Sequence, residues 1–241
     1  MNPTEPTDRF TVLVVAKAPV PGLAKTRLAA AIGEQAAADI AAAALLDTLD
    51  AVATSSARTR VVALTGNLDD SLRRQETSAA LENFIVITQR GTGLADRLIN
   101  AHADTGAMSP DPIVQIGMDT PQVTPKLLSR AANELCSSAA TAVLGPAYDG
   151  GWWILGVQHP QDAAAIADIP TSRPDTGART QTALTHAGLR LSLMPPLRDV
   201  DHADDLEPVA ALCAPRSRFR AAVQTLSAQR TPDEDRRNAP R

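Results

Sequence analysis

The sequence predicts an α/β fold, a three-layer sandwich built on a mainly parallel central sheet. Short β-branched runs alternate with longer Ala- and Leu-rich stretches, which is the rhythm of βα units. The short runs are nearly continuous in apolar residues, as expected of strands covered on both faces. With 241 residues, 44% hydrophobic and 21% charged, the chain has the material for one sizeable core.

In chain order, strands are expected at Thr11–Ala16 (TVLVVA), Arg60–Thr65 (RVVALT), Phe84–Gln89 (FIVITQ) and Pro112–Gly117 (PIVQIG). The Ala-rich run from Gly33 to Thr54 has high intrinsic helix propensity and the apolar spacing of a long helix. Leu68–Leu81, Gly93–Ala107 and Thr124–Ser137 read as further helices, the last with Thr124 as N-cap and Pro125 in the first turn. After Ala140 the rhythm changes. TAVLGPA and GWWILGV are strand-like but joined only by YDG, too short for a crossover helix. A helix at Gly177–Ala187, a strand at LRLSLM and helices at Asp204–Cys213 and Arg218–Arg230 complete the reading. The expected organisation is a main domain over residues 10–215, a helix over 216–230 packed on it, and a disordered tail over 231–241, which is charged and lacks an aliphatic anchor.

A formal net charge of −4 provides no basic field for a nucleic-acid polymer or an anionic membrane. Cys136 and Cys213 form no CxxC pair and read as inert thiols. The start, MNPTEPTDR, has no apolar signal core, and no run approaches the roughly 20 apolar residues of a membrane helix, so the cytoplasm is the expected location.

Five stretches carry the candidate chemistry. AKAPVPGLAKTRLAA lies between the first strand and a helix, where strand ends and helix N-termini meet ligands. It is not a Walker A loop, because Pro19 and Ala24 stand where that motif needs glycine, and GxGxxG is absent too. What remains is a proline-stiffened loop in which Lys17, Lys25 and Arg27 offer cations, Pro21 limits the backbone, Gly22 permits close approach, and Thr26 adds a hydroxyl. The plainer reading is a solvated basic turn. In IGMDTPQVTP, Asp119 follows a strand end; since Thr124 already caps the next helix, its carboxylate is free for Mg²⁺ or Mn²⁺, hard cations that prefer oxygen. GPAYDGGWWILG gathers Tyr148, Trp152 and Trp153 around Asp149, Gly150 and Gly151 in a chain with 2% aromatic residues. Strand alternation sends one Trp into the core and the other to the cleft; a plain hairpin explains only the first. In RDVDHADDLEP, Asp204 and Asp205 suit a helix start, whereas Asp199 or Asp201 could complete a metal pair with Asp119. QRGTGLADRL adds Gly91 and Gly93 near a ligand, with Arg97 as a phosphate contact or a surface charge. No histidine falls in a metal or triad spacing.

Together and in this order, from about Thr11 to Leu212, these stretches resemble a bacterial family of uncharacterised glycosyltransferase-like proteins with the GT-A fold, sometimes labelled for arsenosugar biosynthesis. That family is similar to small nucleotidyltransferases such as the molybdenum-cofactor and phospholactate guanylyltransferases. The resemblance implies a GT-A-like, Rossmann-like domain with Lys17, Gly22, Lys25 and Arg27 on the nucleotide-phosphate loop. It implies that Asp119 holds the metal and that Asp201 is the acidic residue of a DVDTPEDL-like ending, which here reads DVDHADDL with His202 and Ala203 in place of Thr and Pro.

The resulting expectation is a metal-dependent glycosyltransferase-like enzyme using a nucleotide-diphosphate sugar and a small-molecule acceptor. Asp119, Asp149 and Lys25 would be catalytic. Lys17, Pro21, Gly22, Lys25, Thr26, Arg27, Gly91 and Arg97 would bind the nucleotide. Asp149, Gly150, Gly151, Trp152 and Trp153 would line the sugar or acceptor pocket, and Asp119 with Asp201 would hold Mg²⁺ or Mn²⁺. Two alternatives stand beside it: a nucleotidyltransferase joining a nucleoside triphosphate to a phosphorylated acceptor, and a nucleotide-binding protein without activity.

Overall fold

Strand β1 (Thr11–Lys17) is buried because both of its faces are covered. Val12 and Val14 point into one cluster with Leu45, Leu49 and Leu128, while Leu13 points into another with Val61, Ala101 and Ile113. Cover on both faces agrees with the interior place of β1 in the sheet. The computed structural model describes residues 9–137 and 140–237.

The other strands are β2 (Thr59–Thr65), β3 (Ile85–Thr88), β4 (Ile113–Gly117), β5 (Ala142–Pro146), β6 (Trp152–Val157) and β7 (Leu191–Leu193). They form one seven-stranded sheet in the order β3-β2-β1-β4-β6-β5-β7. Neighbours are parallel except for β6, which runs antiparallel to β4 and β5. The short YDG link has its explanation here, since it joins an antiparallel pair. The order reverses at β1 and β4, which opens a crevice beyond their C-terminal ends.

Helices α1 (Thr26–Ile32), α2 (Glu34–Ala53), α3 (Arg74–Leu81), α4 (Leu94–Met108), α5 (Pro125–Cys136), α6 (Thr176–His186), α7 (Leu206–Leu212) and α8 (Arg218–Arg237) cover the sheet, with 3₁₀ turns at Leu68–Asp70, Pro160–Ile166 and Ala203–Asp205. Thr124 is the N-cap of α5, its hydroxyl accepting from the Leu127 N–H at 3.3 Å. Asp47 of α2 caps α8, accepting from the N–H groups of Arg218 and Phe219 at 2.9 Å each.

Several expectations need correction. β3 is an edge strand, with Ile85 and Val86 45% and 46% exposed, so its apolar run is not buried on both faces. The helix expected over residues 68–81 is broken: Arg73 takes a left-handed conformation at φ 50° and starts α3, held there by two hydrogen bonds to the Asp39 carboxylate at 2.7 and 2.8 Å. Helix α8 continues through Arg237, past the boundary expected at Arg230, and residues 238–241 lie outside the described residues. Both thiols are free; Cys213 is buried, and burial pushes its pKa up to about 11. Among the described residues no helix is long and apolar enough to cross a membrane.

Candidate functional site

A cavity of about 680 Å³ opens in the crevice at the ends of β1 and β4. The β1–α1 loop forms one wall. Leu23 and Ala24 each donate a backbone hydrogen bond to the Val20 carbonyl at 3.0 Å, and Gly22 supplies the φ of 77° that this tight turn requires. The Lys17 ammonium donates to the Leu23 carbonyl at 2.5 Å, so it braces the loop as well as bordering the cavity.

The turn delivers Lys25 in a left-handed conformation, φ 48° and ψ 51°, uncommon for a residue with a side chain. Its ammonium sits between two carboxylates, 2.9 Å from Asp119 Oδ2 and 3.2 Å from Asp201 Oδ1. The Arg27 guanidinium lies 2.7 Å from Asp201 Oδ2. Burial works against the Lys25 charge, yet Asp119 and Asp201 together hold its pKa above the ordinary lysine value.

The carboxylates are fixed from behind. The Asp119 carbonyl accepts from the Val200 N–H at 3.0 Å, tying the 199–201 segment to the end of β4. The Asp205 carboxylate accepts from the N–H groups of Asp201 and His202 at 3.1 and 2.8 Å and from Arg198 at 2.9 Å. His202 and Asp205 form a capping box on the 203–205 turn.

Asp199 also borders the cavity. Burial, with Asp119 and Asp149 close by, pushes its pKa up to about 6, and Lys25 opposes this only in part. Asp149 closes a local turn, its Oδ1 accepting from the Gly151 N–H at 2.8 Å. The tryptophans divide as strand alternation requires. Trp153 is 3% exposed, and its indole donates to the Pro195 carbonyl at 3.0 Å; Trp152 packs on the opposite face against the Leu98 and Leu155 cluster and forms cavity wall.

Of the residues expected at the site, Lys17, Lys25, Thr26, Arg27, Arg97, Asp119, Asp149, Gly151, Trp152, Trp153 and Asp201 border the cavity. Pro21, Gly22, Gly91 and Gly150 do not. Gly150, at φ 89°, lies so close to the Pro174 carbonyl that a Cβ would overlap it, and its own carbonyl accepts from the Gly177 N–H at 2.7 Å. It thereby ties the β5–β6 turn to the start of α6, beside the cavity-lining residues Ser172, Arg173 and Thr176. Sequence reasoning missed these three, and also Gln89 and Gln115. Gln115 had a signal, a polar residue inside the apolar run of β4. Gln89 had less of one: its amide donates to the carbonyls of Ala16 and Ala63 at 2.8 Å, bracing the ends of β1 and β2.

Among the described residues, no group of three or more His, Cys, Asp and Glu is arranged to hold a metal ion. The paired carboxylates Asp119 and Asp201 could supply two protein ligands, leaving the rest of a coordination shell to substrate and water oxygens.

Solved structures share this fold. A candidate nucleotide-diphospho-sugar transferase from Desulfovibrio desulfuricans aligns with a TM-score of 0.79 at 24% identity, covering 91% of this chain and 95% of its own. A cytidylyltransferase from Leptospira borgpetersenii aligns at 0.55 and 14% identity over 92% of this chain and 95% of its own. The manganese complex of Rv0371c from Mycobacterium tuberculosis aligns at 0.50 and 18% identity over 83% and 97%. The curated proteins contain no significant sequence match. The profile of the uncharacterized proteins conserved in bacteria, DUF2064, matches residues 48–173, more than half of the chain and a span that includes Asp119 and the Asp149–Trp153 turn; the chain belongs to that family.

Proposed function

We propose that the protein is a glycosyltransferase-like enzyme that takes a nucleotide-diphosphate sugar and a small-molecule acceptor. The observation that carries this reading is the Lys25–Asp119–Asp201–Arg27 network at the mouth of the β1/β4 crevice. Lys25 and Arg27, with Lys17 beside them, would hold the diphosphate and offset the charge that grows on it as the leaving group departs. Trp152 offers a flat apolar wall for a sugar face, and the Asp149 carboxylate takes the proton of the acceptor hydroxyl as its oxygen bonds to the anomeric carbon. The bond from that carbon to the diphosphate oxygen breaks in the same transfer.

The donor set fits a divalent cation. Two carboxylates converge on a single cationic centre, the Lys25 ammonium, and such oxygens are the ligands that Mg²⁺ and Mn²⁺ prefer. When bound, the ion would neutralise diphosphate charge. The manganese complex of Rv0371c supports this choice.

Nucleotidyl transfer is the second reading. It is favoured by the three cations in and beside the β1–α1 loop, Lys17, Lys25 and Arg27, which suit a triphosphate losing pyrophosphate, and by the fold shared with the Leptospira cytidylyltransferase. Calorimetric titration with nucleotide-diphosphate sugars and with nucleoside triphosphates, each with Mg²⁺ or Mn²⁺, separates the two. Saturable triphosphate binding with no response to sugar nucleotides overturns glycosyl transfer, and no binding by either class overturns both. Binding that leads to no turnover with any acceptor pool leaves the non-catalytic alternative. Asp119→Ala and Asp201→Ala are expected to lose metal-dependent binding; wild-type binding in both would remove the proposed metal pair.

A further inference from the structure

Of the basic residues that border the cavity, Lys17, Lys25 and Arg27 lie in and beside the β1–α1 loop and Arg97 lies on α4, whereas Arg173 comes from the segment leading into α6. Lys25 and Arg27 are already held by carboxylates. Arg173 is engaged more loosely. Its Nε donates to Asp175 Oδ1 at 3.2 Å, and among the described residues nothing accepts from its two Nη groups. Asp175 is bound more closely by Arg179, whose Nε donates to Oδ2 at 2.6 Å. Two guanidiniums thus share one carboxylate, which leaves an excess of positive charge at this corner, and the Arg173 side chain is 57% exposed.

The segment that holds Arg173 is fastened to the turn that holds Asp149. The Gly177 N–H donates to the Gly150 carbonyl at 2.7 Å, and a Cβ on Gly177 would lie 2.5 Å from the Gly151 carbonyl oxygen. Gly150 in turn leaves no room for a Cβ against the Pro174 carbonyl. Within the segment the Arg173 N–H donates to Thr176 Oγ1 at 3.2 Å, and that hydroxyl donates to the Pro170 carbonyl at 2.9 Å. Arg173 and Asp149 therefore share one compact mount made of two loops. That mount is set apart from the β1–α1 loop: β4 stands between β6 and β1, so the turn before β6 lies about 10 Å from the end of β1 at ordinary strand spacing.

We infer that Arg173 anchors the acceptor, and that the acceptor carries an oxyanion, a phosphate monoester or a carboxylate, besides the hydroxyl that attacks. This rests on the glycosyl-transfer reading, in which Asp149 takes the proton of that hydroxyl. A group bound by Arg173 is positioned relative to Asp149, and so relative to the attacking oxygen, because the two residues share a mount. The two open Nη groups form a fork that matches a pair of oxygens on either anion. Thr171 and Ser172 border the cavity beside Arg173 and offer hydroxyl donors for a further oxygen.

Calorimetric titration with glycerol 3-phosphate, glycerate and glycerol tests this, since all three offer hydroxyls and they differ in the anion. At least one anion should bind the parent at least tenfold more tightly than glycerol does, and the tighter of the two identifies the anchored group as phosphate or carboxylate. Arg173→Gln should weaken that anion at least tenfold while leaving the binding of nucleoside diphosphates with Mg²⁺ within about twofold. Arg27→Gln should do the reverse. Arg173→Lys, which keeps the charge without the fork, should recover part of the loss. Anions that bind the parent no more tightly than glycerol overturn the inference. So does equal anion binding by the parent and Arg173→Gln, or anion binding that is lost in Arg27→Gln instead, which would put the anion on the phosphate loop. Absence of nucleotide binding with the Arg173-dependent anion still bound overturns the transfer reading and leaves the anion site standing.

Discussion

Lys25→Met tests whether the Lys25 bridge holds the site together. Methionine keeps the unbranched shape and removes the charge, leaving Asp119 without its cation and Asp201 with Arg27 alone. Breaking a fully buried pair costs about 3–5 kcal/mol, because the remaining charge is left uncompensated. Here the lysine side chain is 13% exposed but the two aspartates are 34% and 28% exposed, so water takes up part of the loss. The expected cost is about 2 kcal/mol, or roughly 4–8 °C in Tm for a chain of this size. Adding Asp119→Asn to the variant should recover part of the loss, because the unpaired carboxylate is its source. Mg²⁺ or Mn²⁺ should raise the Tm of Lys25→Met more than that of the parent, since two facing carboxylates then lack their ammonium. Thermal denaturation with and without metal reads each of these. A variant as stable as the parent would refute the bridge as a structural element. A destabilised variant indifferent to divalent cations would refute the carboxylate pair as a cation site.

Two further outcomes are expected from the packing. His102 is fully buried, and burial pushes its pKa down to about 4, opposed only in part by Gln115; it must therefore stay neutral for the fold to hold, and its contribution is present above pH 6.5 and lost as pH falls toward 4. Between pH 7 and 5 the loss is about 2 kcal/mol. Asp199, with a pKa raised to about 6, acts in the opposite sense over part of this range, so the quantity to measure is the difference in urea stability between parent and His102→Phe; a difference independent of pH would refute the assignment. Gly150→Ala should destabilise by about 3 kcal/mol, combining left-handed strain with overlap on the Pro174 carbonyl, whereas Gly188→Ala, at φ 80° in open space, should cost only the strain of about 1 kcal/mol. Equal losses in denaturant titrations would show that close approach at Gly150 contributes nothing.

The sequence made the elements and the ends of β1 and β4 legible because both are written locally, in apolar runs and in the loop residues directly after them. Position in the sheet is not written locally. FIVITQ reads like a buried strand, and only the strand order makes it an edge. Residues 68–81 contain no proline or glycine, so nothing in them announces the break that Asp39, more than thirty residues earlier, imposes through Arg73. The cation–carboxylate network is of the same kind. Lys25 meets Asp119 across 94 residues and Asp201 across 176, and choosing Asp201 over Asp199 as its partner depends on how the 199–201 segment, which follows β7, is hydrogen-bonded past the end of β4.

The ending DVDHADDL shows why residue identity and structural role must be weighed separately. Relative to a DVDTPEDL-like pattern, three positions of the turn are changed, and the threonine that would cap it is gone. Yet His202 serves as the N-cap, and Asp205 reaches back to the N–H groups of Asp201 and His202. Arg198 binds the other Asp205 oxygen and stacks on Tyr148 at 5.3 Å, linking the turn to the loop that carries Asp149. A capping box depends on an acceptor at the cap and a carboxylate three residues on, and this sequence retains both. The turn therefore presents the Asp201 carboxylate to Lys25 although the local spelling has changed, because what fixes it is a set of backbone donors that the substitutions leave intact.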